Sequence, residues 1–159
     1  MSSSSTTKFD LGVLPDSMRL EIPQCEKGIG QIIVSLNSPD LIDGVRAAAF
    51  LLHPDDRGYF LEVARIRKGL VADFPPTTTQ ISAALSYPGT IKAFHYHLVQ
   101  TDYWVPVKGM LQVALVDLRK DSVTFGIRNT LYLGSLRPWQ LTIPPGIAHG
   151  YKVIGEESA

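Results

Sequence analysis

Glycine and proline divide this chain into short apolar runs, and no run sustains a helical period for more than a turn or two. The runs are "GQIIVSL" (30–36), "GVRAAAFLL" (44–52), "GYFLEVARI" (58–66), "TTQISAALS" (78–86), "TIKAFHYHL" (90–98), "YWVPV" (103–107), "MLQVALVDL" (110–118), "NTLYLG" (129–134), "QLTI" (140–143) and "AHGYKVI" (148–154). Many β-branched and aromatic residues in short pieces, with turn residues between them, predict an all-β sandwich or barrel. Only "PDSMRL" (15–20) and "RKGLVADF" (67–74) read as short helices. The polar start "MSSSSTT" reads as part of a flexible tail over 1–12, followed by a single domain over 13–159.

Charge excludes some functions. Lys+Arg 15 balance Asp+Glu 15, and no basic run stands out, so neither nucleic acid nor an anionic membrane is an expected partner. A lone cysteine, Cys25, cannot close an internal disulfide, and "MSSSSTTKFD" lacks the apolar stretch of a secretory signal. Stretches such as "RAAAFLL" are too short to span a bilayer. The expected location is the cytoplasm.

Chemistry concentrates in "GTIKAFHYHLVQTDYWVPVKG" (89–109), which holds His95, His97 and Asp102. In a strand, residues i and i+2 share a face, so both imidazoles can enter one lumen while Phe94 and Tyr96 point away. The plain alternative is a strand with a wet face. The spacing from Gly89 through His95, His97 and Asp102 to Gly109 resembles the first sequence motif of the cupin superfamily, with Asp where Glu is usual. "IPPGIAHGY" resembles the second through Pro144, Gly146 and His149, departing from it at Pro138 and Val153. The resemblance implies a cupin-type jelly-roll sandwich. His95, His97, Asp102 and His149 would then be able to hold Fe(II), Mn(II), Ni(II) or Zn(II).

A narrower resemblance runs from about Val45 to Gly155. "DDRGYFLE" (55–62), "IKAFHYH" (91–97), "VDLRKDSVTFG" (116–126) and "WQLTIPPGIAHGY" (139–151) are similar, in order, to four motifs of the dTDP-4-dehydrorhamnose 3,5-epimerases. The resemblance implies that Arg57, Phe60 and Glu62 help hold a nucleotide, often that of the neighbouring subunit of a homodimer. It puts Gln80 at a nucleotide-site glutamine and Lys92 at a phosphate-binding arginine. It makes His95 the base that takes a proton from the carbon beside a C4 ketone, with His149 contacting substrate, and no cofactor is implied. A turn-anchoring role for Arg57 and Glu62, and core packing for Phe60, are the structural alternatives.

The departures matter. The family stabilises its enolate with a lysine downstream of the histidine, where Asp102 falls here, and His97 replaces a glutamine. A tyrosine and an aspartate of the family lie beyond the "AHGF" strand, past Ala159. Three readings follow: a sugar-nucleotide epimerase, a metal-dependent isomerase or dioxygenase using the four-residue set, and a non-catalytic binding module.

Overall fold

The computed structural model describes residues 18–159, so the tail expected over 1–12 lies outside the described residues. Among the described residues there are ten strands: β1 (Gln31–Ile32), β2 (Arg46–Ala49), β3 (Leu52–Asp55), β4 (Gly58–Leu61), β5 (Ile91–His95), β6 (Asp102–Trp104), β7 (Met110–Asp117), β8 (Arg128–Gly134), β9 (Trp139–Ile143) and β10 (Ile147–Ile154). A five-stranded sheet has the order β1-β8-β7-β10-β5, a three-stranded sheet the order β2-β9-β6, and β3 and β4 form a separate hairpin. β1 runs parallel to β8, and the other pairs are antiparallel.

Alternation builds the core. Along β7, Leu111, Val113, Leu115 and Asp117 are buried while the residues between them are half-buried. Register carries that face across the sheet, opposing Leu111, Val113 and Leu115 to Leu133, Leu131 and Asn129 on β8 and to Val153, Tyr151 and His149 on β10. Leu141 and Ile143 of β9, with Trp104 packed beside them, belong to the same cluster, so the two sheets meet face to face. This is a cupin-type β-sandwich.

The sequence reading and the structure differ in five stretches. Residues 78–86 form no strand: the preceding Pro75 carbonyl is taken by a turn through the Thr78 and Thr79 amides, and Ile81 and Leu85 are left exposed. The run at 30–36 keeps only β1 as strand, and the run at 44–52 divides between β2 and the start of β3. The helix expected over 67–74 shrinks to a 3-10 turn at Gly69–Val71. Of the helix expected over 15–20, residues 18–20 are not helical, and Leu20 instead bridges to Arg119.

One buried charge organises the β7–β8 turn. Asp117 is fully buried and accepts hydrogen bonds from the Arg119 guanidinium, from Ser122 Oγ at 2.7 Å and from Thr124 Oγ1 at 2.6 Å. Arg119 also donates to the Asp43 carbonyl at 2.6 Å, tying in the loop before β2. The "VDLRKDSVTFG" motif is thus a folded turn around a carboxylate. Burial alone would raise the Asp117 carboxyl, but Arg119, Thr124 and Ser122 outweigh it and hold it below the usual carboxylate range. A carboxyl whose folded value is depressed stabilises the fold above its unfolded value, near pH 4, and that contribution disappears as pH falls through the folded value. Chemical denaturation of Asp117→Asn at pH 7 should therefore show a loss of about 3 kcal/mol, the scale for breaking a buried ion pair. The gap to wild type should narrow below about pH 4.

Candidate active site

Two sheets and one connection supply the histidine pocket. His95 ends β5 and lies opposite His149 of β10 in register. Asp102 and Trp104 come from β6 in the other sheet, opposite the buried Ile143 and Leu141. His97 lies on the β5–β6 connection, where its carbonyl accepts from the Gly146 amide at 2.9 Å. The ring centroids of His95 and His149 are 4.2 Å apart, those of His95 and His97 5.5 Å, and Trp104 stands 5.2 Å from His149. The expected convergence of His95, His97, Asp102 and His149 is what the fold produces.

A β-bulge determines which other side chains share the pocket. On β10 one residue separates Tyr151 from His149, whereas on β5 two separate their partners, Lys92 and His95. The extra β5 residue turns Lys92 onto the face of His95, although plain alternation would send it to the other side. The Lys92 ammonium accordingly lies 6.0 Å from the centre of the Tyr151 ring. Gly150 makes this approach possible, because a Cβ there would meet Ala93 Cβ at 2.5 Å and the Lys92 carbonyl at 2.7 Å.

Electrostatics separate the four groups. Burial would raise the Asp102 carboxyl, but His149, the Gln100 amide at 2.6 Å and His97 outweigh it and hold it well below the usual carboxylate range. His95, still open to solvent on one side, is held below the ordinary imidazole value by burial, then by His149 and His97, with Asp102 pulling the other way. It is therefore a neutral imidazole at pH 7. His149 is buried, with Nδ1 2.8 Å from the Ile147 carbonyl. Its Nε2 lies 3.2 Å from Asp102 Oδ2 and makes no hydrogen bond among the described residues.

The other expected site residues lie among different neighbours. Arg57 caps the β3–β4 turn by pairing with Asp55 at 2.7 Å, Phe60 is exposed beside His53, and Glu62 pairs with Arg65. Gln80 donates to Ser82 Oγ at 2.9 Å. Within one chain these are the turn-anchoring contacts, and Phe60 is no core residue. Sequence reasoning passed over Trp104, Gln100 and Tyr151. Trp104 and Tyr151 each stand two residues along a strand from a site residue, Asp102 and His149, and the period of two points to both.

A cupin-type sandwich with an imidazole and carboxylate pocket between its sheets defines the class, and comparison gives the family. The dTDP-4-dehydrorhamnose 3,5-epimerase family model matches residues 40–159. The chain belongs to that family. The spore coat polysaccharide biosynthesis protein SpsL of Bacillus subtilis (strain 168) is 47% identical over 116 residues, 73% of this chain and 74% of that protein. The crystal structure of dTDP-4-dehydrorhamnose 3,5-epimerase from Bacillus anthracis, with TDP and PPi bound, superposes with a TM-score of 0.60 at 26% identity, covering 77% of this chain and 71% of that one. The Sulfolobus tokodaii enzyme gives 0.59 at 32% identity over 73% and 66%.

Gly150→Ala tests the bulge. The added methyl has no room without a backbone shift, so stability should fall by about 1–3 kcal/mol in thermal or chemical denaturation, the usual range for overpacking. The imidazole NMR resonances of His95 and His149 should move together. Unchanged stability and spectra would show that β5 and β10 do not approach as described.

Proposed function

We propose that this chain is a sugar-nucleotide epimerase for polysaccharide biosynthesis, inverting a carbon beside the C4 ketone of a dTDP-4-keto-6-deoxysugar, with His95 as the base. The observation that carries the reading is the position of His95: a neutral imidazole at the solvent-facing edge of the pocket, in register with His149 on the family's scaffold. The carbon beside a ketone is acidified because its carbanion delocalises into an enolate. A neutral imidazole can take that proton and, once charged, return one. Trp104, His149 and Tyr151 line the inner wall, which excludes water from the site where charge develops. Lys92, brought to the pocket face by the bulge, suits a phosphate of the nucleotide as a point charge without the fork of an arginine. His149 contacts the sugar from the buried side.

The same reading assigns Arg57, Phe60, Glu62 and Gln80 to the nucleotide, in a homodimer where they serve the pocket of the second copy. Three features support this. Phe60 stands exposed on a hairpin that forms its own small sheet. Residues 78–86 expose Ile81 and Leu85, and the outer face of the five-stranded sheet exposes Ile91 and Phe94 beside Ala114 and Gly150. These are apolar surfaces at both ends of the proposed exchange, and a second copy of the chain would cover them. The cytoplasm is the compartment we assign, because the exposed free thiol of Cys25 suits a reducing one.

Deprotonation precedes inversion, so exchange with solvent is the most direct assay. dTDP-4-keto-6-deoxyglucose in deuterated water should take up deuterium at C3 or C5 in the presence of the protein. His95→Asn should lower uptake by about 100-fold or more, the scale of one acid–base group, while leaving dTDP affinity nearly unchanged. Binding of dTDP without any exchange by the wild type would make this a binding module instead.

Sedimentation tests the shared site. A dimer should form at micromolar concentration, and Phe60→Ala should weaken dTDP binding in calorimetry without unfolding the chain. A monomer that binds dTDP equally well with and without Phe60 would remove the hairpin from the site.

A further inference from the structure

We propose that Tyr151 is a catalytic residue of the epimerase reaction: its hydroxyl, oriented by the buried Ser86, donates a hydrogen bond to the C4 oxygen of the sugar as the enolate forms. The proposal deepens the epimerase reading and rests on it for the identity of that oxygen, while the direction of the hydroxyl follows from burial.

Register puts Tyr151 in the pocket. It stands two residues after His149 on β10 and opposite the buried Val113 of β7, so it shares the inward face with His149. Its ring meets that of Trp104 edge-on with centroids 5.7 Å apart, and the same indole lies 6.4 Å from the ring of His95. Base and hydroxyl thus border one aromatic side chain. The carbon that loses a proton and the carbonyl oxygen beside it are two bonds apart, so the groups that serve them must be neighbours of this kind.

Ser86 decides which way the hydroxyl points. Ser86 Oγ and the Tyr151 hydroxyl oxygen are 2.8 Å apart, a contact that either group can donate. Ser86 is only 3% exposed, and its backbone is held by Ala159 through two hydrogen bonds of 2.6 and 3.0 Å. A buried hydroxyl hydrogen without an acceptor is costly, and among the described residues the acceptor for this one is Tyr151. Ser86 therefore donates and Tyr151 accepts. The hydrogen of the half-buried tyrosine is left for a further acceptor, near the Lys92 ammonium that lies 6.0 Å from the ring centre.

A donor near an ammonium suits an oxygen that carries negative charge. On the epimerase reading the substrate has two such oxygens, a phosphate oxygen and the enolate. Contact with Trp104 puts Tyr151 on the side of the base, which favours the enolate. In the step itself the C–H bond beside the ketone breaks and its proton passes to His95. The electron pair of that bond becomes the C=C bond, and the carbonyl π pair moves onto the C4 oxygen. Tyr151 stabilises that oxygen by a hydrogen bond fixed in advance, and no proton leaves the tyrosine. In deuterated water the proton on His95 exchanges with solvent, so reversal delivers deuterium to carbon.

Deuterium uptake by dTDP-4-keto-6-deoxyglucose and dTDP calorimetry, run side by side on the full chain, test the proposal. Tyr151→Phe keeps the ring and removes the hydroxyl. Uptake should fall by about 100- to 1000-fold, the scale of one lost oxyanion donor, with dTDP affinity unchanged. Ser86→Ala should lower uptake by about 10-fold or less, the scale of one neutral hydrogen bond, and should add nothing in the Tyr151→Phe background. Thermal melts should show both variants folded, and Tyr151→Phe decides the case alone should Ser86→Ala unfold. Undiminished uptake by Tyr151→Phe beside an exchanging wild type would overturn the proposal and leave His95 as base. Weaker dTDP binding by Tyr151→Phe would put the hydroxyl on a phosphate and overturn the assignment to the C4 oxygen. An additive loss in the double variant would remove Ser86 as the positioning residue. No uptake by the wild type would sink the epimerase reading, and the catalytic role of Tyr151 with it.

Discussion

Close approach of β5 to β10 at Gly150 is the constraint on which the pocket depends. Without a side chain at Gly150 the two paired strands can approach closely at the bulge, and the bulge turns Lys92 onto the face of His95, His149 and Tyr151. The opposite wall needs no such device. Asp102 and Trp104 reach the pocket by ordinary alternation on β6, because their partners Ile143 and Leu141 already point into the core. One wall is built by a local exception and the other by the rule, and the chemistry lies between them.

The pocket has three imidazoles and one carboxylate, with His149 and Asp102 almost wholly withdrawn from water. Such a ratio cannot be neutral and satisfied at once. If every ring is uncharged, Asp102 is a mostly buried anion whose Oδ2 lies 3.2 Å from His149 Nε2 and 3.4 Å from His97 Nε2. If His149 is charged, it neutralises Asp102 and leaves His97 to compete for the same oxygen. In either case burial, and then His149 and His97, disfavour a charge on His95, which is the condition a base needs.

How much of this was legible in the sequence follows from the range of each interaction. The inward face of β7, the convergence of His95, His97 and His149, and the family are legible because period-two alternation and motif spacing are local properties. The failed strand at 78–86 has the right composition, but a strand exists only where another edge pairs with it, and no run of residues encodes its own partner. Lys92 shows the same limit from the other side. The resemblance puts it at the site, but the bulge that turns it inward is one extra residue against β10, visible only once the register of two strands 50 or more residues apart is known. For Asp117 and Arg119 the motif was recognised without its meaning, since a carboxylate buried at a strand end is identical in sequence to one at the surface.

The pocket chemistry and the exposed hairpin divide between different parts of the chain. The groups that would move a proton, His95 and its neighbours, are assembled entirely from β5, β6, β10 and the connection between them. The groups expected to hold a nucleotide, Arg57, Phe60 and Glu62, are instead carried by and beside the β3–β4 hairpin, where their partners are Asp55, His53 and Arg65. Phe60 is exposed, and covering an aromatic of that size would be worth roughly 2 kcal/mol. Arg57 is a different case: its pairing with Asp55 is a surface contact worth little, and it would yield easily to a phosphate that offers bidentate hydrogen bonds. On the proposed reading, a nucleotide shared across a dimer would engage both the aromatic ring and the guanidinium of this hairpin at once.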